Sequence, residues 1–459
     1  MVPNRVFPLV AHAAHGGLLG VPWWTVVVAG PAFVALTYLT LRATPPVRRD
    51  GWRLGVPRAV MTTTWSVLGG AAVVALAATL VIGFRGPERA TANVVYYLSW
   101  LVPLGATVAV LVVGDAWRRI DPIESLAALV GAPATQPGRR SVGAAVGTES
   151  GAHSADADAA RASVDHDRDR DDVIGAERRG IGAFPGLAFF AFWWVPSCYV
   201  GALTARLIAV WLASWVVWGV VAGRLRGRAW VSARDPFRLL LDTIGRQALL
   251  RGRADGLVAG VSPARRGDPQ DPATAPRANR VLEIMIGVLV FRLVAVTPWW
   301  IEIERPLRDW SLIGMRTFGL VWACALVVLV HFVTAAATTR FRRGDRALLG
   351  DLLGALAAGM IIGGLLPPGL TAAQNVLALL SDPFDQGWDT FGTITWRPVD
   401  LTANAVVAWL EPVAIIGGGV AGVAAGLAAV RRRADALDWP LMVAAAGTVG
   451  TILWLNLHP

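Results

Sequence analysis

Apolar residues in this chain gather in blocks of roughly 17 to 25, the length at which an α-helix crosses about 30 Å of hydrocarbon. That grouping limits the fold more than any other feature. Hydrophobic cores of soluble domains disperse their apolar residues, and length alone would allow two or three such domains. Composition agrees with the blocks. The chain is 55% hydrophobic and 16% charged, and it contains 21 Trp. Soluble domains usually carry about 25% charged residues. Mean hydropathy is +0.52. The expected fold class is an all-α polytopic membrane protein.

Ten spans are expected, at 23–41, 64–84, 94–114, 184–204, 207–223, 281–300, 317–337, 348–366, 404–428 and 437–455. Pro196 would kink the fourth. The basic residues set the orientation. All 42 Lys+Arg positions are Arg. Of these, 33 lie in the segments after the first, third, fifth, seventh and ninth spans, and 8 lie in the opposite set. Arg292 falls inside a span. By the positive-inside rule the Arg-rich segments are cytoplasmic and both termini are outside, as expected of a multi-pass protein of the plasma membrane. The net charge of +10 is thereby accounted for without a nucleic-acid partner. The absence of Lys beside abundant Ala, Gly and Val fits a GC-rich coding sequence. Cys198 and Cys324 both lie within apolar blocks and read as small packing residues.

Between the spans, the segments differ in character. Residues 1–22 form an outer N-terminal segment whose apolar run, Val6 to Ala11, is too short for a signal peptide. Spans 1–3 occupy 23–131. Residues 132–182 carry almost no large apolar groups, so a disordered cytoplasmic insert is expected there. Spans 4 and 5 follow at 184–223. In the cytoplasmic loop 224–280, Pro236 to Leu250 has apolar positions at helical spacing. This stretch reads as an amphipathic helix on the inner leaflet, with Arg238 and Arg246 reaching anionic lipid headgroups. Residues 252–280 read as linker. Spans 6–8 cover 281–366. The outer loop 367–403 is aromatic, acidic and glycine-punctuated, and reads as a structured cap. Spans 9 and 10 end the chain at 404–455.

Several of these segments together are similar to one source. His15-Gly16-Gly17 with Val21-Pro22, Asp121-Pro122 before Leu126-Ala127, and Gly227-Arg228-Ala229-Trp230 before Phe237 belong to the pattern. The most specific part is Leu380-Ser381-Asp382-Pro383-Phe384 with Gly387-Trp388-Asp389-Thr390-Phe391-Gly392-Thr393. The chain resembles an actinobacterial and haloarchaeal family of multi-pass membrane proteins often labelled fenitrothion hydrolase. The resemblance runs from about residue 15 to 455, apart from the insert. The label implies organophosphate ester hydrolysis. Members tend to carry a His in each of the helices flanking the Gly-Trp-Asp loop. Here those helices read Gly359-Met360-Ile361-Ile362-Gly363-Gly364 and Gly417-Gly418-Gly419-Val420-Ala421-Gly422, with no His in either stretch.

Buried charge supplies the main site candidates. Arg292 in span 6 and Glu411 in span 9 would both sit about 11–12 Å below the outer surface, at 1.5 Å per residue. An unpaired charge at that depth costs about 2.5–3.5 kcal/mol. Matched depth and opposite sign suggest a pair facing the bundle interior, either a substrate or proton site or an interhelical bridge. Pro412 would free a backbone carbonyl beside it. His331, in the inner half of span 7, reads as a hydrogen bond to a neighbouring helix or as a proton relay. Asp382, Asp385, Trp388 and Asp389 are the outer-loop candidates. With His12 and His15 those aspartates could also form an N/O metal site for Cu or Zn. Gly417-x-Gly419-x-x-Gly422 lies in a membrane span with no strand before it, so it is no dinucleotide site. Gly418, Gly422 and Gly426, and Gly350, Gly354, Gly359 and Gly363, read instead as ridges for close packing of spans 8 and 9. Asp351 suits the start of its helix by dipole.

Walker A, Gly-x-Ser-x-Gly, His-Glu-x-x-His and paired Cys at ligand spacing are all missing. No cofactor is expected. The leading reading is transport or permeation of a small solute or ion, with homo-oligomers allowed. An outward-facing hydrolase or metal-handling protein is the second reading, and a non-catalytic assembly subunit the third.

Overall fold

The computed structural model describes residues 22–44, 52–54, 58–114, 116–134, 184–199, 204–253, 256–259, 274–339, 349–393, 395–399, 401, 404–431 and 437–457. The insert at 132–182 lies almost wholly outside the described residues, as do His12 and His15.

The protein is a largely helical, polytopic membrane protein. Its helices are α1 (Trp23–Ala43), α2 (Arg58–Arg85), α3 (Val94–Val112), α4 (Ala116–Ile120), α5 (Pro122–Leu129), α6 (Phe184–Cys198), α7 (Ala205–Arg226) and α8 (Arg228–Ser232). They continue with α9 (Pro236–Gly245), α10 (Ala275–Val294), α11 (Pro298–Glu304), α12 (Asp309–Thr338), α13 (Gly350–Leu379), α14 (Ala405–Val430) and α15 (Trp439–Leu457). Eight of them, α1, α2, α3, α7, α12, α13, α14 and α15, are long and apolar enough to cross a bilayer, and the bent pair α10–α11 makes a ninth. The fourth expected span falls on α6, which is apolar but only 15 residues long.

Large side chains exposed on the outside of the bundle are overwhelmingly apolar. Val28, Phe33 and Leu36 of α1, Val67 and Val74 of α2, and Phe318, Leu329 and Val333 of α12 all point outward. Water would not tolerate so large an apolar surface, whereas acyl chains match it. α13 is the central helix. Its most apolar stretch is 78% buried, against 17 to 44% for the other seven long single helices; α10 is likewise mostly buried. α13 packs on α14, α3, α10 and α9.

Two glycine ridges bring α13 and α14 together. A Cβ at Gly359 would lie 2.8 Å from Gly418 Cα, and one at Gly422 would meet Leu352. Gly363 also faces α14, at the Glu411 carbonyl and Ile415, whereas Gly354 faces Thr243 of α9 and Gly426 faces Leu441 of α15.

Beyond the shortened fourth span, the structure differs from the sequence reading in four further places. First, span 6 is not straight to residue 300. It ends at Val294, and α11 leaves at 84°. Thr297 and Pro298 restart the helix at its N-cap and first turn, where proline's missing N–H costs nothing. Second, span 8 does not stop at 366. α13 continues through Pro367 and Pro368 to Leu379, so the loop begins near 380. Gln374 in this extension trades hydrogen bonds with the backbone of Val399, at 3.0 and 3.1 Å.

Third, residues 252–280 are more than linker. β1 (Trp52–Leu54), β2 (Leu250–Arg253) and β3 (Gly256–Ala259) form an antiparallel sheet in the order β1-β3-β2. Backbone pairing carries this sheet, which is why side-chain periodicity did not announce it. Fourth, the expected amphipathic helix 236–250 ends at Gly245 and is largely buried. Arg238 pairs with Glu124, and Arg246 Nε lies 2.6 Å from Asp351 Oδ1. Both guanidinium groups therefore have protein carboxylates as partners.

The sheet, α4, α5, α8 and α9 gather at the arginine-rich end of the bundle. The loop from Leu380 onward caps the other end.

Candidate functional site

α10 carries Arg292 only two residues before its break at Val294. The last turn of a helix presents unsatisfied carbonyls and the negative end of the dipole, which favour a cation. The guanidinium carbon lies 5.1 Å from the centre of the Trp100 ring of α3, in cation–π contact. Glu411 sits in the second turn of α14, with Asn456 of α15 in hydrogen-bonding reach of its carboxylate. Pro412 follows it and has no N–H, so the carbonyl of Ala408 loses its helical donor.

Arg292 and Glu411 are each 7% exposed, and they line the same cavity. Leu289, Leu293, Met360, Gly364, Ile415 and Ile452 complete its wall. Its volume is about 20 Å³, enough for water. Four elements converge there: the end of the broken helix α10, the glycine-rich middle of α13, the proline-containing start of α14, and α15. The expected ion pair is not formed: among the described residues the Arg292 guanidinium lies over Trp100 and the Glu411 carboxylate is in reach of Asn456, so the two share a cavity without bonding each other. Arg292 is not eight residues inside a straight helix. It stands beside a helix terminus.

His331 of α12 meets Glu283 of α10 through Nδ1 and Oε1, and both side chains are 2% exposed. Arg280 Nη1 lies 2.7 Å from the other Glu283 oxygen. His331 Nε2 is buried and has no hydrogen-bond partner among the described residues. The expected contact between neighbouring helices is therefore present. Glu283 was not singled out from the sequence, although a lone Glu within a membrane span is the usual sign of a buried partner. One turn further along, Gly287 lets the helices touch: a Cβ there would lie 2.7 Å from Cys324 Cα.

The outer-loop candidates form a self-capped turn. The Asp382 carboxylate accepts from the backbone N–H groups of Gln386 at 2.9 Å, Gly387 at 2.6 Å and Trp388 at 3.1 Å. Ser381 donates to Asp389 Oδ1 at 3.2 Å and accepts from the Phe391 N–H at 2.9 Å. Asp385 has φ of 56° and Gly387 of 80°, both in the left-handed region. Trp388 packs edge-on against Phe384, and Phe384 seats the loop on an apolar cluster with Ile82, Val94 and Val376. Among the described residues, no group of three or more His, Cys, Asp or Glu is placed to hold a metal ion. The motif's acidic residues thus shape the cap.

Compared with family models, curated proteins and solved structures, the chain matches none. The site therefore has to be read from its own chemistry.

Proposed function

We propose that the protein carries a small solute or ion across the membrane and that the Arg292–Glu411 cavity is the binding site. One observation carries this reading: two oppositely charged residues line a water-sized cavity, buried inside an apolar bundle, where a helix breaks. Discontinuous helices and freed carbonyls inside a bundle are how transporters ligate polar cargo away from lipid. Ionisable residues are expensive at that position and are typically retained for a pathway. His331 of α12 and Glu283, which shares α10 with Arg292, supply a second buried polar step toward the arginine-rich end.

The cytoplasmic placement of the arginine-rich end, the count of ten crossings and the plasma-membrane location belong to the proposal, as does kinship with the multi-pass family that the Leu380–Thr393 block resembles. The capping loop would close one face of the bundle.

Flux into liposomes tests the reading. Purified protein is reconstituted with a pH-sensitive dye inside, and proton and alkali-cation gradients are imposed in turn. Wild type is expected to dissipate one of them, and Glu411→Gln to lose at least tenfold of that rate while unfolding at a similar temperature. Full flux in Glu411→Gln would leave the two residues a purely structural role.

A further inference from the structure

Two stretches at the arginine-rich end repeat one motif. The first runs through Gly114, Ala116, Trp117, Asp121, Pro122 and Gly131. The second runs through Gly227, Ala229, Trp230, Asp235, Pro236 and Gly245. Each reads Gly-x-Ala-Trp, then Asp-Pro, then Gly ten residues after the Asp. The second copy has one extra residue between Trp and Asp. Ile123 and Phe237, Leu126 and Leu240, and Val130 and Ile244 fall in register.

The structure repeats as well. Each copy follows a membrane helix, α3 or α7. Each makes a five-residue helix, α4 or α8, and then a longer one, α5 or α9, with Asp as its N-cap. Asp121 Oδ1 accepts from Ile123 N at 2.9 Å and Glu124 N at 3.3 Å. Asp235 Oδ1 accepts from Phe237 N at 2.9 Å and Arg238 N at 3.4 Å. The copies also cross over: α5 packs on α7 and α8, and α9 packs on α3 and α4.

Near a two-fold axis equivalent residues meet each other, and here they do. Glu124 and Arg238 hold the same position in the two copies and form an ion pair. Asp121 and Asp235 line one cavity of about 10 Å³.

We propose that these segments are an internal duplication and that its pseudo-two-fold axis carries a single-proton site, one proton being held between the carboxyls of Asp121 and Asp235. Both residues are buried, Asp235 to 1% exposure. Asp235 Oδ2 is shut away from solvent and accepts no hydrogen bond among the described residues. As an anion that oxygen would be costly, whereas protonated it becomes a donor toward the cavity. A metal fits poorly. Each Oδ1 is already used on a helix cap, and two helix N-termini direct their positive ends at the site.

The neighbouring charges leave Asp235 underserved. Arg238 divides itself among Glu124, Asp121 at 3.5 Å and Asp242 at 3.7 Å. Arg118 reaches Asp242 at 3.9 Å, Arg228 lines the cavity, and Arg234 lies over the Trp230 ring at 4.3 Å. At the far end of α9, Arg246 is engaged by Asp351, and on α10 Arg280 and Glu283 engage each other. Burial, and then the charge of Asp121, push the Asp235 carboxyl up to about 8. Burial raises Asp121 as well.

The test uses the full chain in detergent, unfolded across about pH 4 to 9. A carboxyl raised in the folded state keeps a proton that the unfolded chain gives up above about pH 4, so stability falls as pH rises until the folded group itself ionises near pH 8. Asp235→Asn imitates the protonated form and removes that slope. Wild type should therefore lose about tenfold in folding equilibrium per pH unit relative to the variant over that window, and nothing above it. Infrared difference spectra should show a carboxylic C=O band at neutral pH that Asp235→Asn abolishes and Glu411→Gln leaves in place. In Asp121→Asn the midpoint of that band should move down, and this decides the matter if Asp235→Asn does not fold. Parallel pH profiles, a band indifferent to both Asp substitutions, or Mg²⁺ stabilisation that disappears with Asp235→Asn would overturn the proposal.

Discussion

His331 and Glu283 show how much a single pair can carry in this bundle. Both side chains are buried, and they join α10 to α12. Removing one partner of a buried pair leaves the other without compensation, at a cost of about 3–5 kcal/mol. Glu283→Gln and His331→Ala are each expected to lower stability by that order in unfolding titrations, and the double variant to cost much less than their sum. Additive losses would mean that the two side chains do not act together. Asp382 has a more local role, because three backbone N–H groups converge on its carboxylate. Asp382→Ala should speed amide exchange at Gln386, Gly387 and Trp388 and leave the unfolding temperature of the bundle nearly unchanged. A fall in that temperature would assign the residue a role beyond its turn.

Among the elements, α13 and α14 depend on backbone proximity. The Cβ of Gly418→Val would lie 2.8 Å from Gly359 Cα and from the Ala355 carbonyl oxygen. Overpacking of this kind costs about 1–3 kcal/mol, and because the obstacle is backbone the upper end is expected. Gly417→Ala, one position away, meets nothing within 4 Å and should be silent in the same assay. The glycine ridges could be read from the sequence because small residues at helical spacing have few other uses inside a membrane.

The break after Val294 was not legible in the same way. No charged residue interrupts the run from Leu293 through Thr297, Pro298, Trp299 and Trp300, and only the Thr-Pro pair signals a new helix start. Likewise α13 runs through Pro367 and Pro368, past the end expected at 366, because neighbouring helices can support a proline that an isolated helix could not. The duplication escaped notice because one inserted residue shifts its register, and because Glu124 and Arg238 carry opposite charges at the same position.

The whole molecule is organised by its two unlike ends. One end gathers arginines, the duplicated Asp-Pro helices and the small sheet. The other presents Trp299, Trp310, Trp388 and Trp396, each substantially exposed, as an aromatic belt at a membrane–water boundary would be. A cysteine introduced at Thr390 should react with an impermeant reagent added to intact cells, and one introduced within 132–182 only after permeabilisation. The reverse pattern would invert every assignment of outside and inside.

Between these ends lies the cavity of Arg292 and Glu411, and the claim that matters most is that water and cargo reach it. Gly364 allows a direct measurement, since it lines the cavity and a Cβ there meets nothing within 4 Å. With Cys198 and Cys324 replaced by Ala, Gly364→Cys should react with a small charged thiosulfonate in reconstituted protein, and a cysteine at the lipid-facing position of Val333 should not. If Gly364→Cys stays as inert as the Val333 variant in folded protein, no aqueous path reaches the pair, and the transport account fails.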